Sequence, residues 1–183
     1  MKYKNLGIIL LLIVMAISAA LNIKNIGKCF YPIKYSDYVY KYSTKYKLDP
    51  YFVAAVIRTE SNFNPKAKSN KDAYGLMQIT SSTGKWAAGQ MGTTNFDSDD
   101  LYDPEYNISM GCWYLGSLRD EFKDLDIVAA AYNGGSTNVR KWLSSAQHST
   151  DGKKLHYIPF PETDKYVKRI KFSHNVYKWL YGK

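Results

Sequence analysis

The sequence predicts one mostly α-helical domain that follows an N-terminal hydrophobic helix. The chain has 183 residues, which suits a single domain and is enough to bury a core. From residue 33 onward, apolar residues recur at helical spacing, and two segments open with an Asp-Pro pair, which is typical of a helix start. With 45% hydrophobic and 22% charged residues, the composition is that of a folded protein rather than a disordered one.

The N-terminus carries an uncharged apolar stretch. Residues 6–23 follow Lys2 and Lys4 and have the length of a minimal transmembrane helix. The same pattern fits a secretory signal, with Ser18-Ala19-Ala20 as a small-residue cleavage site. The uninterrupted length favours an uncleaved anchor. In either case we expect the rest of the chain to be exported, with residues 25–32 as a linker to the folded domain.

The formal net charge of +9 indicates attraction to polyanions. Nucleic acid is one such partner, but the lysines are scattered and the sequence carries no nucleic-acid-binding motif. An anionic envelope of lipid headgroups or wall polymers is the other, and the apolar N-terminus favours it. We therefore expect contact with a membrane through the N-terminal segment and no binding to nucleic acid.

The first helices of the domain are expected over 36–46 and 48–60. In the second of them, Asp49 is the predicted N-cap, and Pro50 occupies the first helical position, where its missing N–H costs nothing. The segment 61–73 is rich in Asn, Ser and Lys and contains one Pro, so it is predicted to be a loop.

The middle of the chain gives weaker signals. Residues 75–80 are compatible with either a helical turn or a strand. The Gly-, Ser- and Asp-rich stretch 80–101 is predicted as a long surface excursion with a helical turn near Trp86. The second Asp-Pro pair, Asp103-Pro104, then starts a helix that should reach residue 122. Its inward-facing residues are expected to be Ile108, Cys112, Leu115 and Leu118.

Three further helices complete the prediction. Residues 126–133 form one, ended by Gly134-Gly135, where Gly supplies the positive φ of a helix stop. Residues 138–145 form another, and a polar loop leads to the last helix, over 162–180. Its inward-facing residues are expected to be Tyr166, Val167, Ile170, Val176 and Leu180.

The chain contains two cysteines, Cys29 and Cys112. In an exported protein they could pair, although two cysteines do not indicate a disulfide scaffold. Cys112 lies in an apolar helical run and suits a small buried hydrophobe, and Lys28 argues against lipid attachment at Cys29. The three His are far apart and no His/Cys cluster occurs in the sequence, so we expect no metal and no cofactor.

Glu60 ends the second predicted helix on its apolar side. It lies four residues after Val56 and three after Ile57, so it continues the stripe that they form with Phe52 and Val53. A carboxyl on a core-facing side is desolvated, which raises its pKa. An acid that keeps its proton near neutral pH is what a general acid for glycosidic bond cleavage requires. The alternative is a structural Glu that caps the helix end or reaches water.

Four separated segments of the sequence belong together. They are 55–65 (AVIRTESNFNP), 73–79 (AYGLMQI), 130–135 (AAYNGG) and 158–167 (IPFPETDKYV). In this order they resemble the SLT-type lytic transglycosylases, the lysozyme-like enzymes that cleave bacterial peptidoglycan. The resemblance covers nearly everything from Tyr31 to Lys183. It implies a lysozyme-like, mostly α catalytic domain over 33–183, held outside the cytoplasm, with 1–24 as a signal-anchor or signal peptide.

The resemblance also implies roles for individual positions. Glu60 matches the catalytic acid/base, and Ser61 matches its immediate partner, which bonds near the acid or the bound sugar. Met77 and Gln78 match the segment that lines the cleft and contacts the N-acetyl sugars. Taken without the family, Met77 suits a core position better than a ligand contact.

The later motifs imply further substrate-binding residues. Tyr132 and Asn133 match the third motif, where the Asn amide bonds to sugar or acetamido groups. Glu162 and Tyr166 match the fourth, with the Tyr hydroxyl expected close to Glu60. From the residues alone, the Tyr in the third motif also suits packing, and the Asn suits a helix cap.

An enzyme of this family works with one carboxylate, whereas hydrolysing glycosidases usually use two. Glu60 would protonate the oxygen between N-acetylmuramic acid and N-acetylglucosamine and then deprotonate the muramic acid C6 hydroxyl, which gives a 1,6-anhydro product. The nucleophile is held by the substrate itself, which supplies a proximity advantage.

Two alternatives to this reaction stay open at the level of sequence. A goose-lysozyme-like muramidase would hydrolyse the same bond with a second acid from a predicted loop or cap, one of Asp72, Asp97, Asp99, Asp100 and Asp103. A catalytically idle wall-binding module would use only the positive charge and the aromatic residues.

Three positions depart from the family's usual pattern. Asp72 stands where Gly is usual, Ser81 stands where Pro is common, and the third motif ends in Gly134-Gly135 rather than Ala-Gly. Asp72 is expected to alter the loop geometry at the rim of the cleft, while none of the three touches the proposed acid.

Overall fold

Residues 2–93 and 95–182 are described by the structure, a computed structural model. Within these residues the chain is mostly helical and has a single two-stranded antiparallel hairpin. The expectation of a mostly α fold is therefore confirmed. The outer bounds of the predicted domain division, Met1 and Lys183, lie outside the described residues.

The N-terminus forms two helices, α1 (Lys2–Leu21) and α2 (Ile23–Phe30). The large apolar side chains of α1 from Ile8 onward are exposed. Of the described helices, none alone has the length and hydropathy needed to cross a membrane. Gly7–Leu21 and Ile23–Phe30, which are bent by 64° relative to each other, meet both requirements as a pair.

The segment predicted as a linker, 25–32, is helical for most of its length, because α2 extends through it to Phe30. Helix α2 is not free of the domain. A Cβ on Gly27 would lie 2.5 Å from the Cδ2 atom of Leu180, so the two helices to which these residues belong approach closely at this point. The glycine allows α2 to pack on the C-terminal end of the fold.

Helices α3 (Ser36–Lys45) and α4 (Pro50–Ser61) have nearly the predicted bounds. The Asp49 carboxylate accepts a hydrogen bond from the Tyr51 N–H at 2.8 Å, which confirms the predicted N-cap. Residues 52–57 are all buried, so α4 runs through the centre of the core.

The hairpin follows a loop after α4. Strands β1 (Ala73–Tyr74) and β2 (Ile79–Thr80) pair antiparallel, with Ala73 opposite Thr80 and Tyr74 opposite Ile79. The segment 75–80, for which the sequence left two possibilities, is therefore a turn that ends in a strand. Its first residue, Gly75, has a φ of +73°.

The stretch after the hairpin is more helical than expected. Helix α5 (Ser81–Gln90) replaces the single turn predicted near Trp86, and a 3-10 helix (Ser98–Tyr102) follows, with residue 94 outside the described chain. The buried side of α5 consists of Gly84, Ala87 and Ala88, which do not form an apolar stripe that the sequence pattern could reveal.

Helix α6 (Pro104–Phe122) has the predicted bounds, and its four expected inward residues are buried. Both cysteines carry free thiols: Cys112 is buried in α6 as predicted, and Cys29 is exposed. Helices α7 (Leu125–Gly134) and α8 (Ser136–Leu143) follow, separated by Gly135 at a φ of +85°. Helix α8 begins two residues before the predicted start.

The last helix, α9 (Pro161–Tyr181), packs against both α4 and α7. Four of its five predicted inward residues are buried, but Val176 is only half-buried and Tyr177 takes the inward place instead. The aromatic ring of Tyr177 meets that of Tyr31 edge to face, with 5.7 Å between centroids, and this contact joins the start of the domain to its end.

The turn at Gly75 sets up a stability test. A Cβ at this position would lie 2.2 Å from the Leu101 carbonyl oxygen and 2.3 Å from the Asn107 amide nitrogen, in addition to straining a left-handed backbone. Gly75→Ala should therefore lower the free energy of unfolding by about 3 kcal/mol or more, measured by urea denaturation. Gly92→Ala is the matched control, since Gly92 has a φ of +79° with open space around it. It should lose only about 1 kcal/mol, and equal losses would contradict the steric argument.

Candidate active site

The carboxyl of Glu60 lies between the C-terminal end of α4 and the first part of α9. The apolar residues that precede Glu60 on α4 are buried, which places its side chain at the edge of the core. The Tyr166 hydroxyl, contributed by α9, donates a hydrogen bond to Glu60 Oε1 at 2.7 Å. The two residues are 106 positions apart in sequence, so the packing of α9 on α4 creates the contact.

Burial raises the pKa of the Glu60 carboxyl to about 7. The hydrogen bond from Tyr166 and the positive charge of Arg169 act in the opposite direction and reduce the effect, whereas the negative charge of Glu162 adds to it. Both the protonated and the ionised form of Glu60 are therefore populated near neutral pH. The group has the proton affinity that a general acid needs, and after losing its proton it can act as a base.

Three side chains form hydrogen bonds with the backbone of residues 76 and 77, directly after Gly75. The Ser61 hydroxyl donates to the Leu76 carbonyl at 2.7 Å. The Met77 N–H donates to Asn107 Oδ1 at 2.8 Å, and the Tyr132 hydroxyl donates to the Met77 carbonyl at 2.8 Å. These bonds fix the backbone beside Glu60, because Ser61, Asn107 and Tyr132 are each held on a helix.

The Met77 side chain has no exposed surface with which to contact a substrate. Its side chain is fully buried, and its sulfur packs against Gly111, where a Cβ would lie 2.3 Å away. The prediction that this side chain contacts the substrate therefore needs correction: Met77 is a core residue in this structure. The turn directs residue 77 inward while its backbone stays at the site.

Gln78 adopts a left-handed backbone with a φ of +48°. Its side-chain nitrogen donates to the Gly75 carbonyl at 3.0 Å and to the Ala67 carbonyl at 3.2 Å. The amide nitrogen is thus occupied in holding the turn together. The side chain still lines a groove of about 310 Å³ with Tyr114, Tyr132 and other residues of the hairpin and α7.

Asn133 lies between two cavities. It lines the 310 Å³ groove on one side, and on the other it lines a cavity of about 410 Å³ formed with Phe160 and the start of α9. Its Oδ1 accepts a hydrogen bond from the buried Thr163 hydroxyl at 2.8 Å. Among the described residues its amide nitrogen has no hydrogen-bond partner, so Asn133 can donate to a ligand.

Glu162 lies at the rim of the 410 Å³ cavity. Its side chain is 72% exposed and pairs with Lys71 at 3.2 Å. Exposed pairs of this kind contribute little to stability. The exposed Glu162 therefore differs from the half-buried Glu60, although its charge is close enough to raise the pKa of Glu60.

Three of the five other acids suggested by the sequence, Asp72, Asp97 and Asp103, have structural partners. Asp97 caps the 3-10 helix through the Asp99 N–H, and Asp103 caps α6 through the Tyr106 N–H at 2.8 Å. Asp72 accepts hydrogen bonds from the Tyr74 hydroxyl and, at 2.7 Å, from the Ser81 hydroxyl. Two of the three departures from the family pattern thus bind each other.

Sequence reasoning missed Asn107, which is fully buried and holds three backbone groups. Besides the Met77 N–H, it bonds the carbonyls of Tyr74 at 3.0 Å and Leu101 at 2.8 Å. A signal was present, since Asn107 lies four residues before Gly111 and eight before Leu115, on the inward stripe of α6. Thr163 and Arg169 gave no comparable signal.

The model of the transglycosylase SLT domain matches residues 37–155 of this sequence. The chain belongs to this family. Over 155 residues it is 34% identical to the soluble lytic murein transglycosylase of Escherichia coli K12, a match that covers 83% of this chain and 24% of the relative. It is 38% identical over 124 residues to the membrane-bound lytic murein transglycosylase C of Edwardsiella ictaluri, covering 61% of this chain and 34% of that one.

The fold of this SLT domain is also similar to a solved structure. The 70 kDa soluble lytic transglycosylase of Escherichia coli superimposes with a TM-score of 0.76 at 30% identity, over 86% of this chain and 26% of the other. The chain thus spans about a quarter of the length of these soluble relatives. The family match ends at residue 155, before α9, so the fourth motif extends the site beyond the matched region.

The Tyr166 bond in this SLT domain predicts a change in proton affinity. Because the hydroxyl lowers the pKa of Glu60, Tyr166→Phe should raise that pKa above its value of about 7. The measurement is an NMR titration of the side-chain carboxyl carbons. Tyr177→Phe is the control, since the Tyr177 hydroxyl bonds the Pro32 carbonyl instead. An unchanged or lower pKa in Tyr166→Phe would show that the bond does not stabilise the carboxylate.

Proposed function

We propose that this chain is a peptidoglycan lytic transglycosylase that cleaves the β-1,4 bond between N-acetylmuramic acid and N-acetylglucosamine and forms 1,6-anhydro-N-acetylmuramic acid. The observation that carries the proposal is the half-buried Glu60 carboxyl, with a pKa of about 7 and a hydrogen bond from Tyr166. The names of the soluble and membrane-bound murein transglycosylase relatives support the choice of substrate. The domain is proposed to be lysozyme-like in fold.

In the first step Glu60 transfers its proton to the glycosidic oxygen. The bond from that oxygen to C1 of the muramic acid breaks with its electron pair staying on the oxygen, so N-acetylglucosamine leaves with a free hydroxyl and C1 becomes positively charged. Proton transfer from a positioned acid contributes on the order of 10²–10⁴ to the rate. The Tyr166 hydroxyl and the charge of Arg169 then stabilise the carboxylate that remains.

In the second step the Glu60 carboxylate takes the proton of the muramic acid C6 hydroxyl. The C6 oxygen bonds to C1 and closes the anhydro ring, and Glu60 returns to its protonated state. The nucleophile belongs to the sugar, so the protein does not need to position a water molecule. This suits a site where burial raises the pKa of one half-buried acid, Glu60, to about 7.

The remaining motif residues are proposed to hold the glycan or the frame of the cleft. Asn133 offers its amide nitrogen to a sugar or acetamido oxygen, and the ring of Tyr132 and the side chain of Gln78 line the same groove. Glu162 contributes at the rim. Ser61 acts through its bond to the Leu76 carbonyl, which sets the position of the turn.

The N-terminal helices are proposed to place the domain outside the cytoplasm. The paired helices α1 and α2 are long and apolar enough to form a bent membrane segment. If α1 is retained, the chain is a membrane-anchored enzyme, like the relative that is named membrane-bound. Removal of α1 as a signal peptide would release the same domain as a secreted enzyme.

Replacing the acid tests the proposal directly. Glu60→Gln should reduce the release of soluble muropeptides from purified peptidoglycan by about 10²–10⁴-fold. Wild-type activity should fall as the pH rises above about 7, because the acid must be protonated. The wild-type products should carry anhydro ends in mass spectrometry. Hydrated products would favour a goose-lysozyme-like muramidase, and equal activity of the two proteins would favour an inactive wall-binding module.

The same variant carries its own control for folding. The folded state holds Glu60 with a pKa raised from 4.5 to about 7, so ionisation lowers the stability of wild type as the pH rises through this range. Glu60→Gln has no ionisable group at this position, so it does not lose stability in this way. It should be about 1–3 kcal/mol more stable than wild type at pH 8 and equally stable at pH 4. If the variant were less stable than wild type, misfolding would explain its loss of activity.

Glu162 tests whether one carboxylate is sufficient. Glu162→Gln should retain activity within about threefold of wild type, since the exposed residue performs no proton transfer. The basic limb of its pH profile should move to lower pH, because the charge of Glu162 raises the pKa of Glu60. A loss as large as that of Glu60→Gln, with hydrated products in wild type, would assign Glu162 as a second catalytic acid.

A further inference from the structure

The outer sides of α2 and α9 carry large apolar residues that the domain does not cover. On α2, Ile23, Ile26 and Phe30 are 54%, 46% and 71% exposed and lie at helical spacing on one side. On α9, Phe172 and Trp179 are 62% and 51% exposed and lie two turns apart. Exposed apolar residues that cluster in this way mark an interaction surface.

Two observations place α2 beside the exposed side of α9. The Lys24 ammonium of α2 lies over the Trp179 ring at 6.0 Å from its centroid. At the other end, Tyr31 and Phe172 line the same groove of about 580 Å³. We call the surface made by Ile23, Ile26, Phe30, Phe172, Trp179 and this groove the docking face.

The docking face is strongly basic. The groove is lined by Arg58, Lys168 and Arg169, and the Arg58 guanidinium stacks on the Tyr31 ring at 3.8 Å. The two stretches of sequence that carry its apolar residues, 1–36 and 165–183, contain no Asp or Glu. Asp164 pairs with Lys168 at 2.7 Å, and it is the acid that lies closest along α9.

We propose that the docking face binds the surface of a bilayer rich in anionic phospholipid. Aromatic and apolar side chains interleaved with lysines suit the headgroup region, where rings enter the acyl boundary and ammonium groups meet phosphates. Lys is depleted at protein–protein interfaces, so a lipid surface fits this composition better than a protein partner. Glu60 itself is not part of the docking face, although Arg169 in its groove also acts on the Glu60 carboxyl.

The geometry of the N-terminus agrees with this orientation. Because α2 is bent by 64° from α1, the two helices cannot both follow the bilayer normal, and with α1 embedded along the normal α2 is inclined toward the membrane plane. Helix α2 then lies beside the headgroups with Ile23, Ile26 and Phe30 on its uncovered side, while its other side holds α9 through Gly27 and Leu180. The docking face thus continues from the anchor onto the domain.

A fluorescence quenching experiment on the full chain tests the docking face separately from α1. In a Cys29→Ser background, an environment-sensitive fluorophore is attached at Phe172→Cys or, as the matched control, at Gln90→Cys on α5, which is also exposed. The protein is reconstituted into phosphatidylglycerol vesicles with a quencher on the lipid acyl chains. We expect strong quenching at 172 and little at 90. Equal quenching at the two positions would overturn the proposal.

Charge variants test the anionic component. Lys24→Gln with Lys168→Gln should lower the ratio of docked to undocked domain by about fivefold for each lysine removed. Lys85→Gln with Lys153→Gln removes the same charge from exposed positions elsewhere and should leave the quenching unchanged. High salt should release the domain as well. Quenching at 172 that is equal in phosphatidylcholine vesicles and insensitive to salt would contradict binding to anionic lipid.

Discussion

The burial of one carboxyl between α4 and α9 is the constraint on which the site depends. Glu60 ends a helix whose preceding residues form the core, so its carboxyl loses much of its hydration, which raises its pKa. The helix that covers it also supplies the compensating groups, the Tyr166 hydroxyl and the Arg169 charge. The proton affinity of Glu60 is therefore a property of how two helices pack, and any change in their separation would alter it.

The motif residues act more on the backbone than on the space where a substrate would lie. Ser61 and Tyr132 come from different motifs, yet both donate to carbonyls of the 75–78 segment, and Asn107 accepts from the Met77 N–H. Rigid support of this kind is what holds reacting groups within the narrow geometric limits of catalysis. It also explains how Met77 can belong to a site motif and still be fully buried.

Prediction from sequence succeeded where a local rule decides the structure and failed where packing decides it. The start of α4 was predicted correctly, because a side-chain hydrogen-bond acceptor directly before Pro, here Asp49, is a strong local signal of a helix start. Helix α5 was missed because its segment is rich in Gly and Ser and its buried residues, among them Gly84 and Ala87, form no stripe of large apolar side chains. The influence of Arg169 on Glu60 acts between helices distant in sequence, which no periodicity reveals. Glu60 itself could be found from the sequence, since it continues an apolar stripe.

Helix α9 is a single unbroken element from Pro161 to Tyr181. Tyr166 bonds the acid near its start, and Trp179 is exposed near its end, 13 residues later or about 20 Å along the axis. A rigid rod that touches both places fixes the distance between them. If the docking face rests on a membrane, Phe172 and Trp179 both contact it, so α9 lies along the bilayer, and the proposed catalytic carboxyl is held at a constant distance from its surface, within reach of the innermost layer of the wall.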